Sequence, residues 1–200
     1  MNRIKPAALL FDLDGVLVDS EDSWYHAFRE LFRSNLHREL GKDEFLHDYW
    51  GLDVEEIAQR TGLAVEIAPF CNTVYRNHTG KTTLYPDTKK TLERLDGYKK
   101  ALITNAPEDC ARQLLRRFHI EAYFESIVTA DSSSEGKPHP AMVRKACEQL
   151  GVDPKDAVVI GDHKVDMKAG RAAGCKVIGI GTEGDYTLDE LCGLLEILAW

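Results

Sequence analysis

The chain has 200 residues, 44% of them hydrophobic and 29% charged, with a formal net charge of −8. That composition describes a soluble globular protein of one domain, or of one domain carrying an insertion. The acidic balance, with no local run of lysine and arginine to offset it, argues against a nucleic-acid-binding face.

The N-terminal segment MNRIKPAALLFDLD has a basic start, but its apolar run breaks at Asp12 without a small-residue cleavage site. It reads as a first strand, AALLF at 7–11, and not as a signal peptide. Residues 16–82 follow as an insertion whose segments SWYHAFRELF, EFLHDYW, VEEIAQRTGL and IAPFCNTVYRN have the apolar spacing of helices. Near Tyr85-Pro86 the pattern changes to an alternation of helices and short apolar runs. Helical PDTKKTLERL precedes ALIT at 101–104, and EDCARQLLRRF precedes SIVTA at 126–130. PAMVRKACEQL at 140–150 begins with proline and stops before Gly151, a good start and stop for a helix. AVVI at 157–160, helical DMKAGRAAG and CKVIGI at 175–180 complete the series. The C-terminal LDELCGLLEILAW reads as a packing helix, too short for a membrane span of roughly 20 apolar residues.

Five continuous apolar strands joined through helices imply an α/β fold with a Rossmann-like parallel sheet covered on both faces. The core is expected at 1–15 and 83–200, with 16–82 as an inserted helical unit. The five cysteines are scattered and never form C-x-x-C, which suits reduced thiols in a cytoplasmic protein. Gly179-Ile180-Gly181-Thr182-Glu183-Gly184 satisfies G-x-G-x-x-G. A dinucleotide site also needs a following βαβ unit and a later acid, so this segment is read as a turn.

Ligands of parallel α/β sheets bind at the carboxyl ends of the strands. Asp12-Leu13-Asp14-Gly15 follows the first strand, Thr104-Asn105 ends the second, Gly136-Lys137-Pro138 follows the third, and Gly161-Asp162 ends the fourth, with Asp166 four residues on. Side chains two apart on extended backbone share a face, so Asp12 and Asp14 sit roughly 6–7 Å apart along the strand. Joined by Asp162, they repel one another unless a cation lies among them. Mg²⁺ prefers carboxylate oxygens and commonly bridges to a substrate phosphate. With charge so neutralised, Asp12 can act as a nucleophile and Asp14 can pass protons to the leaving oxygen and from water. Lys137 and Thr104 offer charge and a donor to phosphoryl oxygens.

DLDGVLVDS, ITN, GKPHP and GDHKVD together resemble motifs one to four of the haloacid dehalogenase (HAD) superfamily. The helical insertion after the first motif is similar to the branch of phosphoglycolate phosphatase-like enzymes and β-phosphoglucomutase. The resemblance implies the HAD fold with an α-helical cap at 16–82, and Mg²⁺ as cofactor. It makes Asp12 the nucleophile that becomes an aspartyl-phosphate, and Asp14 the general acid/base with its backbone carbonyl on the metal. Asp162 is the remaining metal carboxylate, Thr104, Asn105 and Lys137 bind phosphate, and Asp166 stands outside the metal's direct ligands or pairs with the lysine. His163 departs from the pattern, where relatives commonly carry a small hydroxyl residue. In the insertion, His26 and Arg29 are candidates to face substrate, while Trp24 and Phe28 read as core.

The expected activity is hydrolysis of a small phosphorylated metabolite by a monomer or homodimer without nucleic-acid or membrane partners. A sugar-phosphate mutase on the same scaffold, or a phospho-accepting receiver domain, would use similar groups. Taken singly each residue has a plainer reading. Asp12 and Asp14 could cap a helix, Lys137 could be a surface lysine, and Asp19-Ser20 reads as a cap.

Overall fold

The computed structural model describes residues 3–52, 54–63 and 67–199. The chain forms two compact units, one running up to Val18 and resuming at Leu84, the other spanning Asp19–Thr83.

In the first unit the strands are β1 (Ala8–Phe11), β4 (Lys99–Thr104), β5 (Ser126–Thr129), β6 (Ala157–Gly161), β7 (Lys176–Ile180) and β8 (Tyr186–Leu188). They form one sheet in the order β5-β4-β1-β6-β7-β8, with every pair parallel. β1 is central, Ala8 pairing with Lys99 on one side and Ala157 on the other. Its four residues are wholly buried because both faces are covered, which is why the strand reads as unbroken apolar sequence. Leu9 and Phe11 face a cluster with Leu102, Val158, Ile160 and Ile178, whereas Ala8 and Leu10 face Ile103, Val159 and Val177. Each such leucine, isoleucine or phenylalanine contributes about 1.5–3 kcal/mol relative to exposure.

The helices of this unit are α5 (Thr88–Arg94), α6 (Glu108–Arg117), α7 (Ala141–Leu150), α8 (Lys164–Ala173) and the short α9 (Leu194–Ile197). α7 lays Met142, Val143, Ala146 and Cys147 on the Leu10 side of the sheet. It stops where Gly151 takes the left-handed φ of 64°. β4 begins two residues earlier than its apolar run because Lys100 is buried with its ammonium donating to Leu95 O and Tyr98 O, at 2.7 and 2.8 Å. β8 has no counterpart in the apolar pattern of the sequence, being only Tyr-Thr-Leu. The expected C-terminal helix is confined to α9, preceded by a 3₁₀ turn at Leu191–Gly193; Leu198 then bridges to Ile4, and Trp200 lies outside the described residues.

The second unit holds α1 (Glu21–Asn35), α2 (Lys42–Asp48), α3 (Val54–Thr61) and α4 (Ile67–His78). Two short strands, β2 (Val18–Asp19) and β3 (Thr83–Leu84), form a separate two-stranded sheet. α1 presents Ala27, Phe28, Leu31 and Phe32 to the interior. Phe28 lies 5.2 Å from Phe45, and Phe32 meets Tyr49 edge-on at 4.9 Å. Trp24 is only half-buried, stacked on Tyr75 of α4 at 4.2 Å. At the start of α1 it is Asp19 that caps, accepting from Glu21 N at 3.2 Å, while Ser20 makes no capping bond. All five cysteines are free thiols, four of them buried. No helix among the described residues is long and apolar enough to cross a membrane.

Candidate active site

The backbone leaves β1 in a tight turn, Leu17 N donating to Leu13 O and Gly15 N to Val18 O. Gly15 has φ +76°, and a β-carbon there would lie 1.9 Å from Asp162 Oδ2. The carboxylate that ends β6 is therefore seated directly against the turn that follows β1. Asp12 is 7% exposed, accepts Leu13 N at 2.7 Å, and meets Lys137 Nζ at 2.7 Å.

Lys137 is the hub. Its ammonium touches Asp12, Asp166 Oδ1 at 2.6 Å and Ile103 O at 3.1 Å, so the ends of β1 and β4 and the first turn of α8 converge on one charge. Its backbone is held by Asn105, whose side chain donates to Lys137 O at 2.9 Å and accepts from Lys137 N at 2.8 Å. Thr104 is wholly buried and its hydroxyl accepts from Ala106 N at 3.1 Å.

On the other flank, Asp166 is completely buried at the start of α8, its Oδ2 accepting from His163 N at 3.1 Å. His163 Nδ1 comes within 2.7 Å of Asp162 Oδ1, and the His163 side chain also accepts the backbone N–H of Asp166 as the N-cap of α8. The donor atoms of Asp162, His163 and Asp166 all lie within 4.8 Å of one another.

Burial raises the Asp12 pKa well above its ordinary value. Lys137 opposes the rise, and Asp166, Asp162 and Asp14 add to it. Burial likewise raises Asp162, against the pull of His163. Burial would lower Lys137, but Asp12 and Asp166 outweigh it and hold the ammonium charged. The same balance, set by Asp162, lifts His163 above its usual range despite burial. Four acids thus share one lysine and one histidine. Four carboxylates close enough for three of them to raise the pKa of the fourth, Asp12, form a donor set that fits a hard divalent cation.

The structure brings together Asp12, Asp14, Asn105, Lys137, Asp162 and Asp166. Asn105 meets Lys137 through its amide, which the sequence assigned to phosphate. His26 and Arg29 belong to the second unit. There His26 Nε2 lies 2.7 Å from Lys81 Nζ with its ring stacked 4.9 Å from His78, and Arg29 pairs with Glu39 at 2.9 Å. His163, which departs from the family pattern, also enters the cluster, as its place directly after Asp162 allows.

Residues 9–180 match the family described as haloacid dehalogenase-like hydrolases. The chain belongs to that family. Phosphoglycolate phosphatase of Aquifex aeolicus is 33% identical over 179 residues, 84% of this hydrolase and 81% of its own length. Pyrophosphatase PpaX of Bacillus velezensis is 29% identical, with 98% of both chains covered. A Lactobacillus plantarum crystal structure, provisionally assigned as a phosphoglycolate phosphatase, superposes with a TM-score of 0.87 at 20% identity, covering 97% of this chain and 100% of that one. At that identity the likeness concerns the fold, an α/β parallel sheet with flanking helices. The named relatives are phosphatases and pyrophosphatases, hence hydrolases.

Proposed function

We propose that this hydrolase is a Mg²⁺-dependent phosphatase that cleaves a small phosphomonoester through an aspartyl-phosphate on Asp12. The observation that carries the reading is the buried chain Asp12–Lys137–Asp166, which places a carboxylate and an ammonium side by side at the carboxyl end of the sheet.

The Asp12 carboxylate attacks phosphorus and the P–O bond to the alcohol breaks. Asp14 gives its proton to the departing oxygen, then takes one from the water that hydrolyses the acyl-phosphate. Lys137 stabilises the phosphoryl oxygens, and Asp166 and Asn105 keep its ammonium in place. Thr104 completes the phosphate contacts in this reading. When bound by Asp12, Asp14 and Asp162, the divalent ion supplies the positive charge that lets two anions approach.

The inserted helical unit is the cap of this reading and selects the leaving group, with His26 and Arg29 as its candidate substrate contacts. The relatives' names support a small anionic phosphate as substrate. The test is phosphate release from a panel that includes phosphoglycolate, pyrophosphate and sugar phosphates, with and without Mg²⁺. Asp12→Asn is expected to release none. Undiminished release by that variant, or isomerised sugar phosphate without free phosphate, would overturn the proposal.

A further inference from the structure

The five free thiols are scattered along the sequence, yet two of them meet in the fold. We infer that Cys147 and Cys175 form a modification site, a thiol pair that a hydroperoxide converts to a disulfide between α7 and the entry to β7. The inference lies wholly within the first unit and does not depend on the phosphatase reading.

The first support is register. α7 packs against α8, and Arg144 Nη2 donates to Ala172 O at 3.2 Å. Three residues beyond each of those anchors stand Cys147 and Cys175, the latter directly after Gly174, where α8 stops at φ 96°. Both cysteines belong to one apolar cluster, together with Val143, Ala146, Ala169 and Val177. Each is fastened by its own backbone. Cys147 O accepts from Val152 N at 3.0 Å, and Cys175 N donates to Gly170 O at 2.9 Å. The two sulfurs are thus presented to each other by fixed elements.

The second support is the contact itself. The Cys175 thiol donates to the Cys147 sulfur, which lowers the Cys147 pKa in spite of burial. The same bond, with burial added, raises Cys175. The thiolate is the attacking species, and a thiol beside it resolves the product. Cys71 lies in the second unit, its thiol pushed up to about 12 by burial. Cys192 is raised by burial and by the neighbouring Asp87 and Glu190. Selectivity therefore favours the pair.

The chemistry balances with one hydrogen peroxide. The Cys147 sulfur attacks a peroxide oxygen, the O–O bond breaks, and the other oxygen leaves as water with the thiol proton, giving a sulfenic acid. The Cys175 sulfur then attacks the Cys147 sulfur. The S–O bond breaks, and a second water carries off the Cys175 proton. Two thiols lose two electrons and the peroxide is reduced to two waters. The closed loop contains all of β6 and α8, and with them Asp162 and Asp166, so the bond restricts the unfolded chain.

The test treats the full reduced chain with hydrogen peroxide at neutral pH, alkylates the remaining thiols after unfolding, and maps tryptic peptides without reduction. The expected product joins peptides 146–155 and 172–176, with Cys71 and Cys110 still alkylated. The oxidised protein is expected to melt at least about 4 °C higher than the reduced one, and dithiothreitol should remove the gain. Cys175→Ala takes away the resolving thiol and should leave a sulfenic acid on Cys147 that dimedone traps. The wild-type peptide map decides without that variant. Absence of the 147–175 link, or a link that forms only as fast as Cys71 and Cys110 are oxidised, overturns the inference.

Discussion

Asn105 and Lys137 exchange two hydrogen bonds, side-chain amide to peptide unit, 32 residues apart in the chain. The amide behaves as one further rung of strand at the end of β4, and it fixes the backbone from which the central ammonium extends. Asn105→Ala should therefore act through Lys137. Losing two hydrogen bonds costs about 2 kcal/mol, or roughly 4–8 °C in Tm for a chain of this size. The expected kinetic result is a kcat lower by about 10–100-fold, as for other groups that orient a catalytic residue. An unaltered kcat would mean the lysine is positioned without the amide.

Asp12→Asn should separate activity from stability. Turnover is expected to drop by at least about a thousandfold, as for a lost nucleophile. Stability should move the other way in metal-free protein. Burial first, opposed by Lys137 and reinforced by Asp166, Asp162 and Asp14, raises the Asp12 pKa well above 3.8. A folded state that holds its proton more tightly than the unfolded chain loses stability as pH rises from the ordinary value through the raised one. The asparagine variant should melt higher than wild type near neutral pH, and the gap should close toward about pH 4. A variant that melts lower at neutral pH would contradict this.

Gly15→Ala tests the close approach of the two strand ends. The left-handed backbone alone costs a non-glycine residue about 1–2 kcal/mol. The added carbon must also displace Asp162, 1.9 Å away. Loss of stability together with weakened divalent-ion binding is the expected pair of results, measured by melting and calorimetry. Full ion affinity would show that Asp162 keeps its place despite the methyl group.

Chelation should abolish phosphate release and restored Mg²⁺ should return it. Ion binding should also raise Tm, since a ligand at one hundred times its Kd adds about 2.7 kcal/mol. Asp162→Asn should lose most of that gain. An equal Mg²⁺-induced shift in wild type and variant would place the ion elsewhere.

Much of the sheet was legible because buried parallel strands carry their signal in every residue. AALLF, SIVTA and AVVI mark β1, β5 and β6 to within a residue or so. Where polar residues do the packing, the signal fails. Lys100 enters β4 because its ammonium finds two carbonyls, and Tyr186–Leu188 is too short and mixed to read as a strand. The C-terminal apolar stretch looked helical, but with Gly193 in its middle it breaks into two turns and sends Leu198 to meet Ile4. In the site, residue types and order announced Asp12, Lys137 and Asp162. What periodicity cannot convey is which partner each group takes. The amide of Asn105 turned to the lysine backbone, and the imidazole of His163 to Asp162, are decided by loops whose course only the folded chain defines.

The strand order carries a consequence for the growing polypeptide. Ala8–Phe11 leaves the ribosome well before its neighbours in the sheet, residues 99–102 and 157–160. The strand thus stays unpaired until those residues emerge, an apolar ribbon without edges covered. The helices of Asp19–Thr83 can close on one another well before then, since their partners lie nearby in sequence. Completion of the first unit is a late event, and chaperone demand should concentrate in the interval before residue 161 emerges.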